Sequence, residues 1–223
     1  MGGGVRQRER GMDKRFAVLL LLTLVGGFAD AGSFVLLTTF TGHITGNAVL
    51  AMIYLAQGHW LTLGYCTIAL CCFLAGTFFG SCWRLRHQTD NAPRHIAPLL
   101  CWQALLMLAG CGLWQLGSSA GFILLQALAL GLQNGVIQSL RSAKVHSTYI
   151  TGMSTSLINS LANGCHAQER ALRWTLFAGI LGFVAGALLG GVLTARFALF
   201  GFIVLLLPLL AAAQLSRQLA DNG

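Results

Sequence analysis

Residues 27–58 read GFADAGSFVLLTTFTGHITGNAVLAMIYLAQG, and the reading of this stretch decides the fold. Asp30 is the only formally charged residue between Phe16 and Trp83. It is followed by a polar patch, Thr41-Gly42-His43-Ile44-Thr45-Gly46-Asn47, where a membrane helix should be uniformly apolar. A charge in hydrocarbon is costly unless it faces protein or water, so Asp30 is a functional-site candidate. The stretch also recurs. Residues 131–164 read GLQNGVIQSLRSAKVHSTYITGMSTSLINSLANG. Gly27 pairs with Gly131, Asp30 with Asn134, Thr45-Gly46 with Thr151-Gly152, and Gly58 with Gly164, the second copy having gained two residues before its Thr-Gly pair.

Composition sets the environment. The 223 residues are 56% hydrophobic and only 9% charged, against about 25% charged in soluble domains. Mean hydropathy is +0.72. This is too much apolar surface for a soluble core, and long apolar runs satisfy their backbone in lipid only as helices. The fold expected is therefore an all-α membrane protein; the alternating strands of an outer-membrane barrel are absent. The net charge of +8 comes from short basic clusters between apolar runs. That is the pattern of cytoplasmic loops and not of a nucleic-acid-binding face. The seven cysteines contain no Cys-x-x-Cys pair and no His at ligand spacing, so they read as small hydrophobes, with no metal site and no cofactor.

From these runs the chain divides into a basic head at 1–15, a first half at 16–116, a second half at 120–214 and a tail at 215–223. Full spans are expected at Phe16–Phe40, Thr62–Trp83, Ile96–Leu116, Ala120–Leu140, Trp174–Ala195 and Phe197–Gln214. A signal peptide cut near Ala29-Asp30-Ala31 is rejected, because the apolar run continues past that site. In the first span, Gly26-Gly27 and Asp30–Ser33 predict a bend or a close helix contact. Two segments, His43–Gln57 and Ser147–Ala162, are too short to span; fifteen residues of helix reach about 22 Å against a ~30 Å core. The repeat extends further: Phe73-Leu74-Ala75-Gly76-x-x-x-Gly80 matches Phe183-Val184-Ala185-Gly186-x-x-x-Gly190, and Arg86 falls in register with Arg196. Small residues at such spacing let helices approach closely.

Charge placement then selects a topology. If the short segments dip in and return, six spans remain. The head, the Arg84–His95 loop, Arg141–Lys144 and Glu169–Arg173 then all lie inside, and only Arg196 is misplaced. Three spans per half is an odd number, so the two halves insert upside down relative to one another. Inverted repeats with incomplete helices place polar backbone near the midplane, where transporter sites are built. The candidate substrate-binding residues are therefore Asp30, Thr41, Thr45, Gly46, Asn47, Asn134, Thr148, Thr151 and Gly152, with the two Thr-Gly patches facing each other. His43 is a candidate proton relay. Gln126 and Gln133 can share a helix face, with Gln138 offset. Trp60, Trp83, Trp102, Trp114 and Trp174 lie near span ends and read as interfacial anchors.

Gly27-x-x-Asp30-Ala31-x-Ser33-Phe34, Thr45-Gly46-Asn47, Gly131-Leu132-Gln133-Asn134 and Thr151-Gly152 resemble the YoaK family. This is a group of bacterial multi-pass membrane proteins defined as a domain of unknown function. The resemblance covers nearly the whole chain after the basic head. It implies an inner-membrane protein of this size and span count, and it supplies neither substrate nor catalytic residues.

Enzyme chemistry has little to stand on. A single intramembrane carboxylate makes no acid/base pair, no Gly-x-Ser-x-Gly is present, and no phosphate-binding loop precedes a Lys-Ser/Thr pair. No catalytic residue is assigned. The function expected is a small secondary transporter or channel for a small solute or coupling ion. The alternative is a non-transporting scaffold whose polar patches serve helix packing. The partners expected are membrane lipid and that solute or ion, with no nucleic acid; exposed small-residue faces would also permit a homo-oligomer.

Overall fold

In the computed structural model the described residues are 2–87, 96–137, 150–163 and 170–221, with side chains described from Lys14 to Leu219. Among them every regular element is a helix. The order is α1 (Gly2–Leu37), α2 (Ile44–Gln57), α3 (Trp60–Arg86), α4 (Ile96–Gln115), α5 (Ser119–Ile137), α6 (Ile150–Ala162), α7 (Arg170–Phe197), α8 (Leu199–Ile203) and α9 (Leu206–Asp221). Six segments are long and apolar enough to cross a membrane: 14–37, 60–86, 96–115, 119–137, 170–197 and 199–219. This is the build of an all-α, multi-pass membrane protein. Helix α2, with 14 residues, and α6, with 13, are too short to span, and α8 is a five-residue turn that leads into the last span.

Glycine contacts fix how the long helices lie together. A Cβ added to Gly186 would run into the Leu24 carbonyl, and one on Gly190 into the Phe28 carbonyl. Numbers on α1 and α7 rise together, so these helices are parallel. Gly76 and Gly80 of α3 meet the Leu128 and Leu132 carbonyls of α5 in the same way, again parallel. Helix α5 runs against α4, because Gln103 bonds Gln133 while Gln126 bonds the Met107 carbonyl. It also runs against α1. Gln133 donates to the Leu22 carbonyl at one end, while Phe28 and Phe122 both set their ring edges against Phe202 at the other. Lys14 near the start of the α1 span bonds Gln218 near the end of α9, so α9 also runs against α1; each long helix therefore reverses the one before it, and neither α2 nor α6 adds a crossing to that alternation.

Some boundaries differ from the expected ones. Helix α1 is uninterrupted through Gly26-Gly27, where the second of the two expected alternatives is seen, a close contact of Gly27 with the Phe183 carbonyl of α7. It begins at Gly2, so the backbone of the basic head continues the helix. It ends at Leu37 instead of Phe40, where Thr38 turns to a left-handed φ of 52°. The turn between the last two spans falls at Ala198, with φ 49°, instead of Arg196, and Gly201 lets α8 fold back tightly onto the Leu193 carbonyl; the last span itself is interrupted at residues 204–205, between α8 and α9. The expected tail at 215–223 is helical through Asp221. The turn between α4 and α5 falls between the spans expected to end at Leu116 and start at Ala120; Gly117 has φ 83°, and Ser118 Oγ accepts the Gly121 amide at 3.2 Å.

Candidate functional site

Ending α1 at Leu37 leaves residues 39–42 outside the helical hydrogen-bond ladders, which stop at the Thr38 amide and resume at the His43 carbonyl, and this connection is buried at Thr39, Thr41 and Gly42. Buried backbone must find partners. Two side chains supply them. Asp30, two turns back on α1, accepts the amides of Thr41 at 3.1 Å and Gly42 at 2.6 Å through Oδ1. Asn47, in the first turn of α2, accepts the Phe40 amide at 3.0 Å and donates to the Phe40 carbonyl at 2.7 Å. The connection is thus clamped from both ends. Ser33 Oγ lies 3.3 Å from Thr41 Oγ1 and donates to the Asp30 carbonyl. Tyr54 closes the outer edge by donating to the Thr38 carbonyl at 3.2 Å.

One atom is left over. Asp30 is only 3% exposed, and its Oδ2 is buried without a hydrogen-bond partner. His43 Nδ1 lies 3.8 Å from it, beyond hydrogen-bonding distance. His43 is half-buried against the Phe40 ring, and burial pulls its pKa below the ordinary histidine value. Gly46 lets the His43 and Phe40 rings close over this point, since a Cβ there would come within 2.9 Å of the imidazole.

The structure thus brings together Asp30, Thr41, His43, Gly46 and Asn47. Thr45 belongs to the same turn but faces outward. The second patch lies elsewhere. Thr151 is exposed and Gly152 half-buried on α6, which packs on α7, while α2 packs on α3; the two short helices form no interface with each other. Among the described residues the two Thr-Gly patches are thus not packed directly on each other; each short helix lies on its own long helix. Asn134, the counterpart of Asp30, has its Oδ1 buried and unpartnered on α5. Thr148 and Gln138 lie outside the described residues.

A second buried polar set lies at the centre of the bundle. Gln103 Nε2 donates to Gln133 Oε1 at 2.7 Å, and Gln133 Nε2 donates to the Leu22 carbonyl at 2.9 Å, tying α4, α5 and α1 together. Gln126 turns away to Met107 of α4. Gln103 was not among the expected residues, although an amide inside the apolar run 96–115 was a readable signal.

Neither the curated proteins nor the solved structures contain a match to this chain. Residues 18–215, nearly all of it, match the family described as a protein of unknown function (DUF1275), and the chain belongs to that family.

Proposed function

We propose that the protein is a small secondary transporter or channel whose site is centred on Asp30. The observation that carries this is the free carboxylate oxygen. Oδ1 is occupied by two backbone amides, whereas Oδ2 is buried, unpaired and 3.8 Å from His43. An uncompensated buried carboxylate is expensive. A proton or a small cation at Oδ2 removes that cost, and a group that gains and loses such a partner is what solute–ion coupling requires.

The packing supports a build from two related, oppositely directed halves. The α1–α7 contacts Gly27–Phe183, Leu24–Gly186 and Phe28–Gly190 recur between α5 and α3 as Gly131–Phe73, Leu128–Gly76 and Leu132–Gly80. Such halves are the common frame of secondary transporters. Placement in a bacterial inner membrane with the N-terminus inside follows from the basic clusters and the YoaK resemblance, and belongs to the same proposal. No enzymatic reaction is assigned.

The competing reading is a non-transporting scaffold, and Asn47 favours it, since both its polar groups are consumed by the Phe40 backbone. Proteoliposomes with an entrapped pH-sensitive dye decide between the two. They are exposed in turn to alkali cations, ammonium and small amino acids under an imposed proton gradient. Transport predicts solute-dependent proton movement that disappears in Asp30→Asn. Silence across the panel by a folded protein favours the scaffold.

A further inference from the structure

At the end of α3 distant from α2, a groove of about 550 Å³ opens between α3 and α4, with Leu132 of α5 at its floor. Its walls are Phe78, Phe79, Trp83, Trp102 and Leu106, and its one formal charge is Arg86 in the last turn of α3. Phe78, Phe79 and Trp102 are each more than half exposed, so the groove faces outward, toward the bilayer. From Phe79 to Arg86 the helix rises about 10 Å. An occupant must be a hydrocarbon along the wall and an anion at the rim. Arg86 has no ion-pair partner among the described residues, and a guanidinium matches phosphate oxygens in pairs.

The second half provides an internal contrast. In the register that pairs Arg86 with Arg196, Phe78, Phe79 and Trp83 correspond to Leu188, Leu189 and Leu193. There α8 is pressed onto the Leu193 carbonyl through Gly201. Both halves therefore carry the arginine, but the aromatic-walled groove beneath it belongs to the first. A basic residue that served only to orient the chain would need no such groove.

We propose that this groove binds one anionic glycerophospholipid, with an acyl chain along Phe78, Phe79 and Leu106 and the headgroup phosphate on Arg86. Basic pockets between membrane helices are suited to such headgroups. The test uses the purified full-length protein in neutral detergent. Phosphatidylglycerol and phosphatidylcholine of identical chains are compared by native mass spectrometry and by thermal stabilisation. The expected result is one retained phosphatidylglycerol per chain, bound in preference to phosphatidylcholine. Arg86→Gln should weaken that preference roughly fivefold, as expected for one basic group at a membrane surface, while Arg196→Gln leaves it intact. Arg86 is exposed, so its replacement does not threaten folding. Leu106→Trp, which fills the groove, should reduce binding of both lipids; if it fails to fold, the two arginine variants decide alone. Equal binding of the two lipids, an unchanged preference in Arg86→Gln, or an equal loss in Arg196→Gln overturns the proposal.

Discussion

Asp30 Oδ1 accepts the Gly42 amide at 2.6 Å, across twelve residues of chain. This bond, with its neighbour to Thr41, makes the intramembrane carboxylate a clamp for the connection between α1 and α2 as well as the candidate site. The two roles use different oxygens and can be separated by mutation.

Asp30→Asn keeps a carbonyl oxygen for the Thr41 and Gly42 amides and alters only the Oδ2 position. It should retain most of the stability while abolishing coupled flux. Asp30→Ala removes both bonds and leaves two buried amides unpaired, at about 1–3 kcal/mol each. Thermal unfolding in detergent should rank wild type near Asp30→Asn, with Asp30→Ala well below. If Asp30→Ala were as stable as wild type, the clamp would be wrong.

Asn47 serves Phe40 twice, through its amide and its carbonyl. Asn47→Ala should therefore cost about 2–6 kcal/mol, from two unpaired backbone groups, and should expose the 38–43 connection to proteolysis. Its effect on flux should follow its effect on folding. A fully stable Asn47→Ala protein lacking flux would instead make Asn47 a substrate ligand.

Gly76 and Gly186 occupy matching contacts, against the Leu128 and Leu24 carbonyls. Gly76→Ala and Gly186→Ala should each lower stability by about 1–3 kcal/mol through overpacking. Gly64→Ala, where an added Cβ meets nothing within 4 Å, should be neutral or stabilising by up to about 1 kcal/mol through helix propensity. Melting curves for the three variants measure whether the two helix pairs carry equal weight.

Gln133 links α4 to the α1 backbone. Gln133→Leu should cost about 0.6–1.7 kcal/mol, the range for interhelical polar contacts in membranes. A double-mutant cycle with Gln103→Leu should show coupling, because the two amides share one bond. Strict additivity would contradict the link.

Much of the architecture was legible in the sequence because it rests on composition and periodicity. Six apolar runs, two short segments and paired Gly-x-x-x-Gly positions are local signals, and the structure places a close helix contact on those glycines. Asp30 was legible as a site residue because a lone charge in an apolar run needs a partner. Its partners were not, since the Thr41 and Gly42 amides carry no side-chain signature. The meeting of the two Thr-Gly patches was expected by analogy between the copies, but pairing of sequence copies does not say which helix each one packs on. Here α2 packs on α3 and α6 on α7. The boundary between the last two spans was legible near Arg196, but the positive φ of Ala198 that makes the turn was not, because alanine rarely adopts it.

The inverted arrangement is tested most directly by thiol labelling of intact cells and inverted vesicles. Thr45→Cys and Thr151→Cys are introduced separately into a chain whose native cysteines are replaced, both positions being exposed. A membrane-impermeant maleimide should label the Thr45→Cys chain only from outside and the Thr151→Cys chain only from the cytoplasmic side. Labelling of both variants from the same side would contradict it.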